Sequence, residues 1–266
     1  PFSAAAVMKE NSASLDFGGG VGVEMLDIDF THAGKSEKTI RGISLSIHPG
    51  SFAAMIGPSG AGKTTIVDLL LGLHEPDSGV VTLAGISPKA LRDEFPGLIA
   101  YVPQKPGLVS GSFATNVAIG ISHDEIDEGR VRHSLEKAQL LDFIESLPQG
   151  IHTSLGSQAD SLSGGQAQRL GLARALYTNP KLIILDEATS ALDAATEASI
   201  ADHIQNLGDD ITVIVVAHRL STIQHADHVF VVDGGRIVTR GTFAQVRKDV
   251  PMIEEYVRLM SFDEDV

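Results

Sequence analysis

Gly57-Pro58-Ser59-Gly60-Ala61-Gly62-Lys63-Thr64 decides the fold. The octapeptide fits G-x-x-x-x-G-K-[ST] at every position; it follows the apolar run at 52–56 and precedes a helix-like apolar spacing over 66–73. A strand–loop–helix context is what a phosphate-cradling turn requires. Glycines let the backbone curl so that consecutive N–H groups face one anion, and the helix start adds its positive dipole end. Gly57, Pro58, Ser59, Gly60, Ala61, Gly62, Lys63, Thr64 and Thr65 are therefore expected to hold the phosphates of a nucleoside triphosphate. Lys63 would reach the β- and γ-phosphates and the Thr64 hydroxyl would ligate Mg²⁺.

A second anion site is suggested by Leu162-Ser163-Gly164-Gly165-Gln166, which opens a stretch of helical spacing over 167–177. Ser163 and the two glycines describe a helix N-terminus with bare N–H groups, although an ordinary Ser-capped helix reads the same way. Shortly afterwards Leu182-Ile183-Ile184-Leu185 runs into Asp186-Glu187. A short unbroken apolar run suits a buried parallel strand, and carboxylates at its C-terminal end sit where such sheets bind ligands. Asp186 would hold Mg²⁺, directly or through water, and Glu187 would orient the attacking water.

These motifs together resemble the nucleotide-binding domain of an ABC transporter. GPSGAGKTT matches that family's Walker A, LSGGQ its signature and LIILDE its Walker B. Gln104 in Tyr-Val-Pro-Gln matches the Q-loop, Asp193 in Ser-Ala-Leu-Asp the D-loop, and His218 in Val-Ala-His-Arg-Leu-Ser-Thr the switch histidine. The resemblance runs from about Val23 to Met260 and implies an α/β fold. That fold has a P-loop NTPase (RecA-like) core with a parallel sheet, an N-terminal antiparallel β subdomain and an inserted helical subdomain over about 105–177. It also implies ATP and Mg²⁺ as ligands, with Gln104 and His218 joining Lys63 and Glu187 in hydrolysis. Gln104 would approach Mg²⁺ or the attacking water, and Mg²⁺ would meet Thr64, Gln104 and Asp186.

In the family two such domains pair head to tail, each nucleotide lying between one chain's P-loop and its partner's signature. By that resemblance Ser163, Gly164, Gly165 and Gln166 would serve the partner's ATP, and Asp193 would communicate between sites. Phe30-Thr31-His32, the segment at 102–109, Asn116-Val117 and Ala-His-Arg-Leu-Ser-Thr resemble exporters in particular. Importer domains more often carry an acidic residue after the switch histidine. Exporters usually join this domain to an N-terminal transmembrane region at the cytoplasmic face of a membrane, and the loop at 106–109 would face it or simply pack inward. Two residues depart from the exporter pattern. His32 stands where a tyrosine commonly stacks on adenine, offering less stacking area, and Ser157 stands where a glutamate often precedes the signature. A soluble ABC ATPase acting on DNA, ribosomes or Fe–S assembly is the competing reading; coiled-coil inserts or a tandem cassette would favour it, and neither occurs.

Composition sets the remaining bounds. The 266 residues suffice for a substantial core, and no segment approaches the eighteen apolar residues of a membrane span. A net charge of −14 without a basic stripe argues against a nucleic-acid partner. The absence of cysteine removes disulfides and thiolate chemistry. Residues 1–22 read as a linker from a preceding region, 23–262 as the ATP-binding domain and 263–266 as an acidic tail. Alternating patterns at 23–30 and 43–47 predict a half-exposed antiparallel sheet. Strands are further expected near 80–83, 98–102, 182–185, 211–216 and 229–232, with helix over 125–140.

Overall fold

A computed structural model describes residues 17–155, 162–186, 210–217, 220–224 and 226–249. Two sheets organise it. The larger has the order β5(Ile99–Val102), β6(Leu182–Asp186), β7(Thr212–Val216), β3(Phe52–Ile56), β8(His228–Asp233), β9(Arg236–Gly241). Its first five strands are parallel, and β9 closes the edge as an antiparallel hairpin with β8. The smaller is antiparallel in the order β2(Ile40–Ile47), β1(Val23–Phe30), β4(Ser78–Leu83). The expected fold class, a parallel α/β core beside an antiparallel β subdomain, holds.

Strand periodicity explains how the large sheet is covered. Every residue of β3, β6 and β7 is buried, and successive side chains point to opposite faces. Ala54, Ile56, Ile183, Leu185, Val213 and Val215 join one core; Ala53, Met55, Leu182, Ile184, Ile214 and Val216 join the other. The first core lies under the helices α3(Phe113–Val117), α4(Glu128–Lys137), α5(Leu141–Glu145) and α6(Gly164–Tyr177). The second is closed by α1(Lys63–Leu70), α2(Pro88–Glu94) and the antiparallel sheet. A strand buried on both faces cannot alternate apolar with polar residues, hence the uniform runs FAAMI and TVIVV.

Some boundaries differ from the sequence reading. The helix expected over 125–140 is a 3₁₀ turn at His123–Glu125 followed by α4. The Asp127 carboxylate starts α4 by accepting from the Arg130 N–H at 3.0 Å, so the chain cannot run straight through. Helix α1 ends at Leu70, and α2, β9, α7(Leu220–Ile223) and α8(Phe243–Asp249) are additional elements.

Long-range polar contacts fix how the segments meet. The buried Thr212 Oγ1 accepts from the Val21 N–H at 3.1 Å and the Gly50 N–H at 3.0 Å. Asp227 Oδ2 accepts from the Phe52 N–H at 2.9 Å and so holds the start of β3. Thr212→Val keeps the shape and removes the acceptor, leaving the Gly50 N–H without its hydroxyl. Loss of about 1–2 kcal/mol is expected, measured as a lower urea midpoint with an unchanged slope.

Candidate active site

The octapeptide loop joins the C-terminal end of β3, the inner strand between β7 and β8, to α1. Gly57 sits at φ 148°, and a Cβ there would overlap the Val232 carbonyl of β8. Gly62 is the N-cap of α1 at φ 109°, with a Cβ position 2.9 Å from Ile40 Cδ1. Both positions demand glycine, because a side chain would face strain and a neighbour at once. Their consequence is electrostatic. The other long helices begin on a side-chain acceptor: Asp127 for α4, and Ser163 for α6. Gly62 has no side chain to offer, so no N-cap side chain competes for the first N–H groups of α1 at the positive end of the helix.

The Lys63 side chain is buried against this loop. Its Nζ donates to the carbonyls of Gly57 at 2.7 Å and Pro58 at 3.0 Å, holding the ammonium on the loop that forms the cradle. Ser59 and Gly60 are exposed, and nothing lies within 4 Å of a Cβ at Gly60. The loop is thus open on one side and braced on the other, where Gly235 N–H donates to Ala61 O at 3.0 Å. Thr64 is exposed, whereas Thr65 is buried with its Oγ1 3.1 Å from His32 Nε2. Uncapped amides, a held ammonium and an open mouth fit a polyphosphate.

Across the sheet, β6 ends on the buried carboxylate of Asp186. The Tyr101 hydroxyl of β5 donates to Asp186 Oδ2 at 3.3 Å. Burial, together with the negative charges of Asp186 and Asp68, pushes the Tyr101 phenol up to about 12, so it stays protonated as a donor. No group of three or more His, Asp or Glu converges among the described residues. One buried carboxylate and one exposed threonine hydroxyl instead suit Mg²⁺, which keeps few protein ligands and takes the rest from phosphate and water.

Gln104 follows β5, exposed, and its carbonyl accepts from Gln168 Nε2 at 3.2 Å. Gln168 belongs to α6, whose start is a capping box: Ser163 Oγ accepts from the Gln166 N–H at 3.1 Å and Gln166 Oε1 from the Ser163 N–H at 2.9 Å. Ser163 and Gly164 are exposed there and Gly165 is half-buried. Helix α6 packs on α3, α4 and β5, while α1 packs on β4 and β6. Below Gln168, Arg174 donates to the carbonyls of Asn116 at 2.8 Å and Gly107 at 2.8 Å, with burial pulling its pKa down. These bonds pin the 106–109 loop: Leu108 packs against the core, while Val109 remains exposed. The inward-packing reading of that loop holds for Leu108.

His32 lies near α1 with its ring edge-on to Phe30 at 4.9 Å and 5.7 Å from His74. Glu187, Asp193, His218 and the Ser157 departure lie outside the described residues. Sequence reasoning missed Tyr101, Gln168 and the Val232–Gly235 brace. Tyr101 was visible as the first letter of Tyr-Val-Pro-Gln, but its partner is revealed only by β5 and β6 being neighbours.

Fold and loop define the class: an α/β P-loop nucleotide-binding domain. The protein-family model described as ABC transporter matches residues 40–190, and the chain belongs to that family as an ATP-binding domain. It is 41% identical over 253 residues to ATP-binding cassette sub-family B member 10, mitochondrial, of Mus musculus, covering 92% of this chain and 34% of that protein. With ABC multidrug transporter MDR2 of Trichophyton equinum it shares 38% identity over 243 residues, 91% of this chain and 18% of that one. Among solved structures, a bacterial Atm1-family ABC exporter with ATP bound superposes with a TM-score of 0.81 at 32% identity. That match spans 94% of this chain and 44% of the other. The chain therefore spans about a third or less of the length of these two relatives.

Gly57→Ala is expected to abolish ATP binding and to lower thermal stability together, because the loop must leave the Val232 carbonyl to admit a methyl group. Calorimetric titration beside a melting curve checks this; unchanged affinity would mean that the loop does not need this brace.

Proposed function

We propose that the chain is the ATP-hydrolysing unit of an ABC exporter, working as a pair with a second such domain beneath a transmembrane region joined on its N-terminal side. The observation that carries this is the uncapped start of α1 with the Lys63 ammonium held in the same loop. The names of its relatives, transporters much longer than this chain, support the exporter reading. In this proposal the ATP-binding domain runs over 23–262, with a helical subdomain over about 105–177 and its place at the cytoplasmic face of a membrane.

Phosphoryl transfer is governed by positioning and charge neutralisation. Lys63 exchanges its loop carbonyls for the β- and γ-phosphate oxygens, and the amides of 60–65 hold the chain of phosphates in line. Thr64, Asp186 and Gln104 hold Mg²⁺, which supplies neutralisation of phosphate charge when bound. Glu187 orients and polarises the attacking water, and His218 contacts the γ-phosphate. Because Gln168 holds the Gln104 carbonyl, a shift of α6 moves the backbone of the residue that senses the site.

The start of α6 is exposed, and α6 packs on α3, α4 and β5 whereas α1 packs on β4 and β6, which supports its use by a second chain. Ser163, Gly164, Gly165 and Gln166 then meet the partner's γ-phosphate, and Asp193 links the two sites. The net charge of −14 leaves nucleic acid a poor partner.

Two variants test this. Lys63→Ala removes a charge-assisted phosphate contact and is expected to weaken ATP binding about 10- to 100-fold. Glu187→Gln is expected to bind ATP without turnover and to migrate as a dimer in Mg²⁺-ATP by light scattering. A monomer at saturating ATP and high protein concentration would contradict the paired mechanism.

A further inference from the structure

The two sheets meet edge to edge: β2 is an outer strand of the small sheet and β9 an outer strand of the large one. They are joined at one end, where the Arg41 N–H donates to Gly235 O at 2.8 Å; Gly235 is the turn residue whose own N–H braces Ala61 in the phosphate loop. Beyond that junction the two edges enclose a cleft. Two hollows of about 320 and 420 Å³ share Gly42 and Arg236, the first running on to Ser44, Thr239 and Arg240 and the second to Lys38 and Arg41.

The cleft is basic in a chain whose net charge is −14. Lys38 is held by Asp29 at 2.8 Å, and the Arg41 guanidinium lies 3.6 Å from Glu37. Arg236 and Arg240 are exposed, and their guanidinium groups make no hydrogen bond or ion pair among the described residues. A guanidinium matches a carboxylate in both shape and charge, so the occupant that fits is an acidic one.

The same chain carries a segment of that chemistry. Asp263-Glu264-Asp265, which lies outside the described residues, is the only run of three consecutive acidic residues in the sequence. Helix α8 follows β9 and packs on β8 and β9, so the chain after Asp249 departs beside the strand that bears the two arginines. Fourteen positions separate Asp249 from Asp263, a reach of about 46 Å if extended and about 21 Å if helical. Either covers the roughly 20 Å length of the six residues of β9. A tether of this kind keeps the acids at an effective concentration on the order of millimolar, so that exposed ion pairs, individually weak, act together.

We propose that the acidic segment at 263–265 docks in the β2–β9 cleft of its own chain, its carboxylates meeting Arg236 and Arg240. The proposal goes beyond the exporter reading and does not depend on it. An occupied cleft ties β9 to β2 beside the turn that braces the phosphate loop, and salt loosens it by screening the pairs.

The sequence has no cysteine, so Thr239→Cys with Ser261→Cys places one thiol in the cleft and one beside the acidic run. The rate at which a short bis-maleimide joins them in the full chain is measured at low and at high salt. Cross-linking within one chain is expected at low salt, and slower reaction at high salt. Arg236→Glu with Arg240→Glu should slow it about tenfold, and adding Asp263→Arg with Asp265→Arg should restore it. Restoration by exchanged charges separates loss of docking from loss of folding. A rate unmoved by the charge reversal or by salt overturns the proposal, as does failure of the exchange to restore it. Cross-linked dimers in place of cross-linked monomers overturn it too, giving the cleft to the acidic segment of a second copy.

Discussion

The phosphate cradle depends on backbone meeting backbone. The loop after β3 can present its N–H groups outward only because Gly57 lies against the Val232 carbonyl and Ala61 accepts from Gly235 N–H. Strand β8 is therefore more than the next strand of the sheet; its hairpin with β9 is the wall against which the loop is formed. That wall exists because β3 is flanked by β7 on one side and β8 on the other, every residue of it buried. A cradle of converging backbone amides is costly to hold without a brace. Lys63, donating to two of the loop's own carbonyls, keeps the loop in shape.

Strand ends place the rest. The loop follows β3, Gln104 follows β5 and Asp186 ends β6, all at the carboxyl edge of a parallel sheet, where such folds bind ligands. Two contacts brace these points: Tyr101 to Asp186 across neighbouring strands, and Gln168 to the Gln104 carbonyl between α6 and the segment after β5. The start of α6 stands apart, already satisfied by its own Ser163–Gln166 box. A nucleotide phosphate approaching it competes with a local hydrogen bond rather than filling an empty hole.

Much of this was legible in the sequence because the chemistry is local. Gly57 to Thr65 lie in one turn, LSGGQ carries its own cap, and the uniform apolar runs of β3, β6 and β7 report burial on both faces. What was not legible depends on which strands become neighbours. Tyr101 and Asp186 are 85 positions apart, and Thr212 meets Val21 across 191. No periodicity encodes such meetings. The boundary at 125–140 was misread because apolar spacing continues through a break that the Asp127 cap imposes. Similarly, β9 shows no buried face to betray it, its residues alternating between exposed and half-buried.

In the proposed mechanism one chain holds the phosphate loop and another completes the site. Specific ATPase activity in Mg²⁺, measured over a wide range of protein concentration, tests it most directly. The rate per chain is expected to rise with concentration and to level off as pairs saturate. A rate per chain that stays constant on dilution would mean that a single copy hydrolyses ATP alone, and would contradict it.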